Sequence, residues 1–305
     1  MGIRLVLAVT DNDWFDQLRR RPDLEEVIFW SPSPRKFHSL TQGELLLFKL
    51  RAPRNAIAGC GIFAHTNALP CSLAWEAFGA ANGARSLPAM RKRIAKYRRA
   101  GPNDQSDFSI GCKILTQPTF FDERDWIPVP ASWSPRTVDY KTYDTVDSEG
   151  RQLWEAVTAR MKRPMEIDAG RSGPRLGKPR LIRPRLGQAA FRVDVTDSYD
   201  RRCAVTRERT LPVLQAAHIR PYSDGGRHEP QNGLLLRSDI HQLFDRGYVT
   251  VTPQLRFEVS PRICEEFENG RDYYSLTGKR ISVPAPAEAR PDPSALDWHN
   301  QNCYW

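Results

Sequence analysis

The sequence predicts an α+β protein built as two domains joined by a basic linker. Three observations predict this. Apolar runs of strand length interleave with helical periodicity over residues 1–145. A stretch at 162–185 is dense in Pro, Gly, Arg and Lys. A strand–loop–strand–helix pattern lies within 203–259. The length of 305 residues agrees with two domains of roughly 100–200 residues each. A hydrophobic content of 40% is enough to fill two cores, so the chain is not disordered.

The first domain spans 1–145. IRLVLAV at 3–9 reads as its opening strand; it lacks a small-residue cleavage site and soon meets Asp11 and Asp13, which argues against a signal peptide. ELLLFKL at 44–50, AIAGCGIF at 56–63 and IGCKIL at 110–115 read as further strands. SLAWEAFG at 72–79 reads as a short helix. Residues 86–99 read as an amphipathic helix, with Ser86 as its cap and Leu87, Met90, Ile94 and Tyr97 at helical spacing. The cationic face of that helix is either a solvated surface or a phosphate-facing stripe. The proline- and aromatic-rich stretch 122–144 is expected to wrap the domain as an ordered loop.

A helix at 148–161 and the basic linker make up 146–186. Arg175, Lys178, Arg180, Arg183 and Arg185 are placed either along a DNA backbone or in a plain solvated tether. The second domain, 187–305, opens near AAFRVDVT at 189–196. It closes in 284–305, whose prolines predict an irregular tail.

The formal net charge is +9, which favours nucleic acid or another anionic partner because each phosphate contact releases counterions. No run of 18 apolar residues exists, so no membrane span is expected. The six cysteines form no C-x-x-C pair, which argues against a structural Cys₄ zinc site. Scattered over a long chain without secretory features, they read as reduced thiols of a cytoplasmic protein.

Chemistry concentrates in 203–259. VLQAAHI at 213–219 reads as a strand ending near His218. A loop through Gly226 leads to an Asn232-Gly233 turn and a second strand at Leu234–Leu236. Ser238 or Asp239 can cap a helix carrying His241 and Asp245 at i and i+4, one turn apart on one face. The pattern brings two imidazoles, a carboxamide and a carboxylate together. Phosphodiester hydrolysis needs such parts: a divalent ion to neutralise the anionic diester, an imidazole to take a proton from water, and an amide to hold that imidazole.

These residues resemble the HNH endonucleases of the ββα-metal fold, in the branch reading AAHI…NGLLL…DIHQLFD. The resemblance implies that His218 is the general base, that Asn232 orients it and shapes the loop, and that His241 ligates the metal. It makes Asp245 the candidate second ligand, and Mg²⁺ or Mn²⁺ the expected cofactor. One departure stands out: many members carry an Asp or His ligand just before the base, where this chain has Ala217. By strand alternation, Gln215 lies on the side of Ala217. The flanks PRLGQAAFRVDV and FENGRDYYSLTGKRI are also similar to that branch, so the resemblance covers roughly the second half of the chain.

The first domain resembles the PUA-like β-barrels (EVE, ASCH, SRA), some of which hold an extruded modified base in an aromatic pocket. Trp30, Phe63 and Trp75 are the stacking candidates, with Ser31 or Asn67 for polar contacts; each aromatic has core packing as its alternative. The combined expectation is a modification-dependent restriction endonuclease acting on double-stranded DNA with modified cytosine, without membrane partners, and as a homodimer on DNA when both strands are cut. Two alternatives stand beside it: an HNH nuclease of sequence-specific or nicking type on unmodified DNA, and a nucleic-acid-binding protein whose HNH site is degenerate.

Overall fold

Both faces of the first unit's sheet are covered, which explains why its inner strands are apolar at nearly every position. The computed structural model describes residues 2–35, 37–98, 106–161 and 187–305. The chain divides into two units, Met1–Arg185 and Leu186–Trp305. Arg175, Lys178, Arg180, Arg183 and Arg185 lie outside the described residues.

The first unit runs β1 (Arg4–Thr10), α1 (Asn12–Leu18), β2 (Glu26–Ser31), β3 (Leu45–Leu50), β4 (Ala56–Pro70), α2 (Cys71–Phe78), α3 (Leu87–Arg98), β5 (Ser109–Phe120), β6 (Ile127–Pro128), β7 (Tyr140–Asp144) and α4 (Ser148–Arg160). The strand order is β2-β5-β4-β3-β1-β7, with β6 attached to β4. β1 and β3 are parallel and the other pairs antiparallel. Alternation sends Leu5, Leu7, Leu45 and Leu47 to one face, under Leu153, Trp154 and Val157 of α4. Val6, Ala8, Leu46 and Phe48 go to the other, against Trp14, Phe15 and Leu18 of α1.

The sheet departs from the closed barrel expected of this domain. β2 and β7 end the path without pairing, so no closed barrel forms among the described residues. Helices bury both faces, so the sheet covers its apolar surface without closing on itself. The stretch 122–144, expected to be a loop, contains β6 and β7, and β7 pairs with β1 in the register Arg4↔Asp144 to Ala8↔Tyr140. α4, grouped with the linker in the sequence reading, packs into the first unit's core.

The second unit runs α5 (Gln188–Ser198), β8 (Leu214–His218), β9 (Gly233–Arg237), α6 (Ser238–Asp245), β10 (Val249–Val251), β11 (Phe257–Val259), α7 (Arg262–Phe267), α8 (Arg271–Tyr274) and α9 (Pro293–Asn302). Phe191, Leu214, Leu234, Ile240, Phe244 and Leu296 share one core. The expected irregular tail contains a helix, α9. Pro293 occupies its first turn, where a missing N–H costs nothing, and the Asp292 carboxylate accepts from Ser294 N. Among the described residues no helix is long and apolar enough to cross a membrane.

Candidate active site

β8 and β9 form a two-stranded antiparallel ribbon that pairs Ala217 with Leu234 and His218 with Gly233. Gly233 is required by packing: a Cβ there would lie 2.3 Å from Val195 Cγ2 and 3.1 Å from the Phe191 ring. That close approach lets Phe191 of α5 stack on the His218 imidazole, 3.9 Å between ring centres and 10° from parallel. The His218 ring is thus held from one side by an aromatic face.

On its other side, His218 Nε2 lies 3.0 Å from His228 Nδ1. Tyr222 stacks on His228 at 4.8 Å. Burial, then the His228 imidazole, push the His218 proton affinity down to a pKa of about 4; Asp245 opposes this and His241 adds to it. His218 is therefore neutral near pH 7 and can accept a proton. The same couplings place His241 and Asp245 within electrostatic reach of it.

Asn232 acts on the loop backbone. Its Oδ1 accepts from Arg220 N at 2.9 Å, and its Nδ2 donates to Arg220 O at 2.9 Å and Arg227 O at 3.0 Å. No side-chain bond from Asn232 to the His218 ring forms among the described residues, so the expected direct orientation is replaced by an indirect one. The Ile219 N–H donates to Asn232 O at 2.9 Å, tying the residue after His218 to the turn. Gly226 completes the lock, since a Cβ there would lie 1.9 Å from Arg220 O.

β9 leads straight into α6, which buries Ile240 and Phe244 and leaves His241 half-buried and Asp245 exposed. His241 Nδ1 is 2.8 Å from Gln215 Oε1 on β8. A carboxamide oxygen only accepts, so Nδ1 donates to it, and in the neutral ring the lone pair is then on Nε2. That Nε2 lies 3.3 Å from Asp245 Oδ2. One imidazole nitrogen and one carboxylate, a helical turn apart, suit a hard divalent ion that keeps several waters. Ala217 is fully buried and adds no ligand. Among the described residues no group of three or more His, Cys, Asp or Glu is arranged around a common cation position.

The remaining histidine of the second unit is structural. His299 is 2% exposed, bonds Thr250 Oγ1 at 2.8 Å and Phe244 O at 3.1 Å, and stacks on Phe244 at 3.7 Å. His228, half-buried on the loop between β8 and β9, is the partner of His218 and was not among the expected site residues. Phe191 and Tyr222 were missed as well; the AAFRVDV flank was the one available signal for the first.

The first unit holds a cavity of about 400 Å³. Trp30 and Ser31 line it, whereas Phe63 and Trp75 do not. Phe63 is buried behind Phe37 at 5.6 Å, and Trp75 belongs to α2. Asn67 is likewise outside the lining. Phe37, Tyr97, Lys113 and Tyr140 line the cavity and were not foreseen. The lone charge inside IGCKIL was the signal that pointed to Lys113.

Comparison with known proteins adds a family. The HNH endonuclease family matches residues 203–252. No curated protein matches the chain at a significant level. Among solved structures, an ASCH protein from Zymomonas mobilis is 11% identical over 50% of this chain and 94% of its own, with a TM-score of 0.32. A point mutant of the same Zymomonas mobilis protein is 10% identical over 50% and 97%, also at 0.32. A modification-dependent TagI restriction endonuclease is 14% identical over 97% of this chain and 80% of its own, at 0.30. Likenesses at these scores carry no weight for function. The family match falls on the segment that holds β8, the Asn232 turn, β9 and α6, so residues 203–252 are similar to the HNH endonuclease family.

Proposed function

We propose that the chain is a metal-dependent endodeoxyribonuclease whose first unit directs it to double-stranded DNA carrying modified cytosine. One observation carries the nuclease reading: within the HNH segment, Gln215 fixes His241 so that Nε2 and the Asp245 carboxylate face one position, in electrostatic reach of a neutral His218. Mg²⁺ or Mn²⁺ would be held by His241 and Asp245. When bound, such an ion neutralises a nonbridging phosphate oxygen and the departing 3′-oxygen. His218 takes the proton from the attacking water, and an anionic diester beside it raises its proton affinity toward neutrality. Phe191 and His228 hold its ring, and Asn232 holds the loop that carries it. Support for the reader is the aromatic cavity that Trp30 and Ser31 line. Linker cations at 175–185 would follow the backbone, and cutting both strands calls for a second copy on the DNA.

The test is cleavage of matched plasmids with and without modified cytosine, in Mg²⁺ or Mn²⁺, by the wild type and by His218→Ala. Modified DNA should be cut preferentially, and His218→Ala should lower the rate by about 10²- to 10⁴-fold. Equal cutting of both DNAs removes the reader and leaves the nuclease. Ala217 favours a second reading, a DNA-binding protein with a degenerate site; a wild type that cuts no DNA in either metal would establish it.

A further inference from the structure

Lys113 lies in the middle of β5, paired with Phe29 on one side and Thr66 on the other. It is 6% exposed and lines the cavity of the first unit. An ammonium has three donors and no acceptor. Among the described residues none of these donors is taken by a hydrogen bond or an ion pair. Instead, Nζ stands over two aromatic faces, 5.0 Å from the Phe37 ring centre and 5.5 Å from that of Phe29. Such contacts stabilise the charge but leave its donors open. Burial pulls the Lys113 proton affinity down, and the Asp139 carboxylate, which also lines the cavity, pulls it back up. Lys113 is largely buried while its ammonium opens on the cavity without an acceptor among the described residues, so its donors are left to whatever enters the cavity.

We propose that Lys113 is the specificity-determining donor of the cavity, reading the acceptor edge of an extruded cytosine-type base. This rests on the reader assigned above and names what that reader touches. Cytosine offers two adjacent acceptors, its 2-oxygen and ring N3, and a donor in its exocyclic amine. Lys113 supplies donors only, and Asp139 supplies an acceptor on the same cavity wall. Phe37 and Tyr140, edge to face at 5.4 Å, and Trp30, 6.3 Å from Tyr97, provide the aromatic walls for the ring. The volume of about 400 Å³ is within the roughly 300–1,000 Å³ typical of small-ligand pockets.

The experiment measures binding of the full chain, carrying His218→Ala to prevent cutting, to duplexes that differ at one cytosine: unmodified, 5-methylated or 5-hydroxymethylated. A parallel set carries the same modified base with its 2-oxygen replaced by sulfur, a poorer acceptor. We expect a modified duplex to bind at least about 10-fold tighter than the unmodified one, and Lys113→Met to lose about 10- to 100-fold on the modified duplex, because the acceptors it reads belong to the base ring and not to the modification. Lys113→Met should melt no lower than its parent, because it removes an unpaired buried charge. The sulfur substitution should cost the Lys113 chain about 10-fold, and this readout stands even where Lys113→Met fails to fold. A folded Lys113→Met that binds the modified duplex as tightly as its parent, or a sulfur duplex bound as tightly as its oxygen counterpart, overturns the assignment and spares the reader. An absence of preference among all duplexes in the Lys113 chain overturns the reader and this assignment together.

Discussion

At His241 one hydrogen bond decides which ring nitrogen is presented. Gln215 Oε1 accepts a hydrogen bond from Nδ1 and so presents Nε2 toward Asp245. Partners of this kind are worth about 10- to 100-fold in metal affinity or activity. Gln215→Ala should therefore raise the Mn²⁺ concentration for half-maximal cleavage by about 10- to 100-fold while the chain stays folded. A metal titration reads this directly, and an unchanged midpoint would remove Gln215 from the site. His218, Asn232, His241 and Asp245 were legible because each sits at short range within one strand–loop–strand–helix unit. Their partners were less so. His228 meets His218 across a loop whose path the Asn232 bonds set, and Phe191 reaches it from α5. The cavity residues come from β1, α1, β2, α3, β5, β7 and the loops beside them, which only the folded sheet gathers.

Elements were readable where period or length was strong and unreadable where a local signal had two meanings. β1, β3 and the core of β8 were evident from apolar runs. β2 was not singled out, because EVIFWS lacks alternation and opens on a charged Glu25-Glu26 pair. α9 was masked by its prolines: PDPSALDWHN looks like a broken stretch until Asp292 and Pro293 are seen as cap and first turn. A packed junction of elements also sets a limit on sequence change. At Gly233 the methyl of an alanine would enter the space of Val195 and Phe191. Gly233→Ala should cost about 1–3 kcal/mol of stability by overpacking, measured by chemical denaturation. It should also loosen the Phe191–His218 stack and lower the cleavage rate. Wild-type stability in Gly233→Ala would mean that α5 can withdraw freely.

For the molecule as a whole, acid is the condition to which buried imidazoles make it sensitive. Burial lowers the His299 pKa to about 4 from an ordinary 6.5. The unfolded chain then binds this proton at higher pH than the folded one does. Between about pH 6.5 and 4 the unfolded state carries more protons, so stability rises with pH across that window and is lost as pH falls. The loss from His299 is on the order of 3 kcal/mol, complete near pH 4, and His218 adds to it in the same direction. Thermal melts from about pH 7 to 4 should show a falling midpoint for the second unit's transition. In His299→Gln the fall should be shallower, whatever the starting stability. Parallel curves for the two proteins would exclude His299 as a source.

The Arg4↔Asp144 pairing has a consequence for how the first unit can be rebuilt. Its earliest and latest strands lie side by side, so the path of the chain returns to its starting edge after one circuit of the sheet. A bridge from the end of α4, near residue 161, back to residue 2, with new ends opened in a surface turn such as 51–55, would preserve every strand neighbour and keep α4 in the core. The same adjacency makes that border a natural attachment point, where a following module can be exchanged without rethreading the sheet.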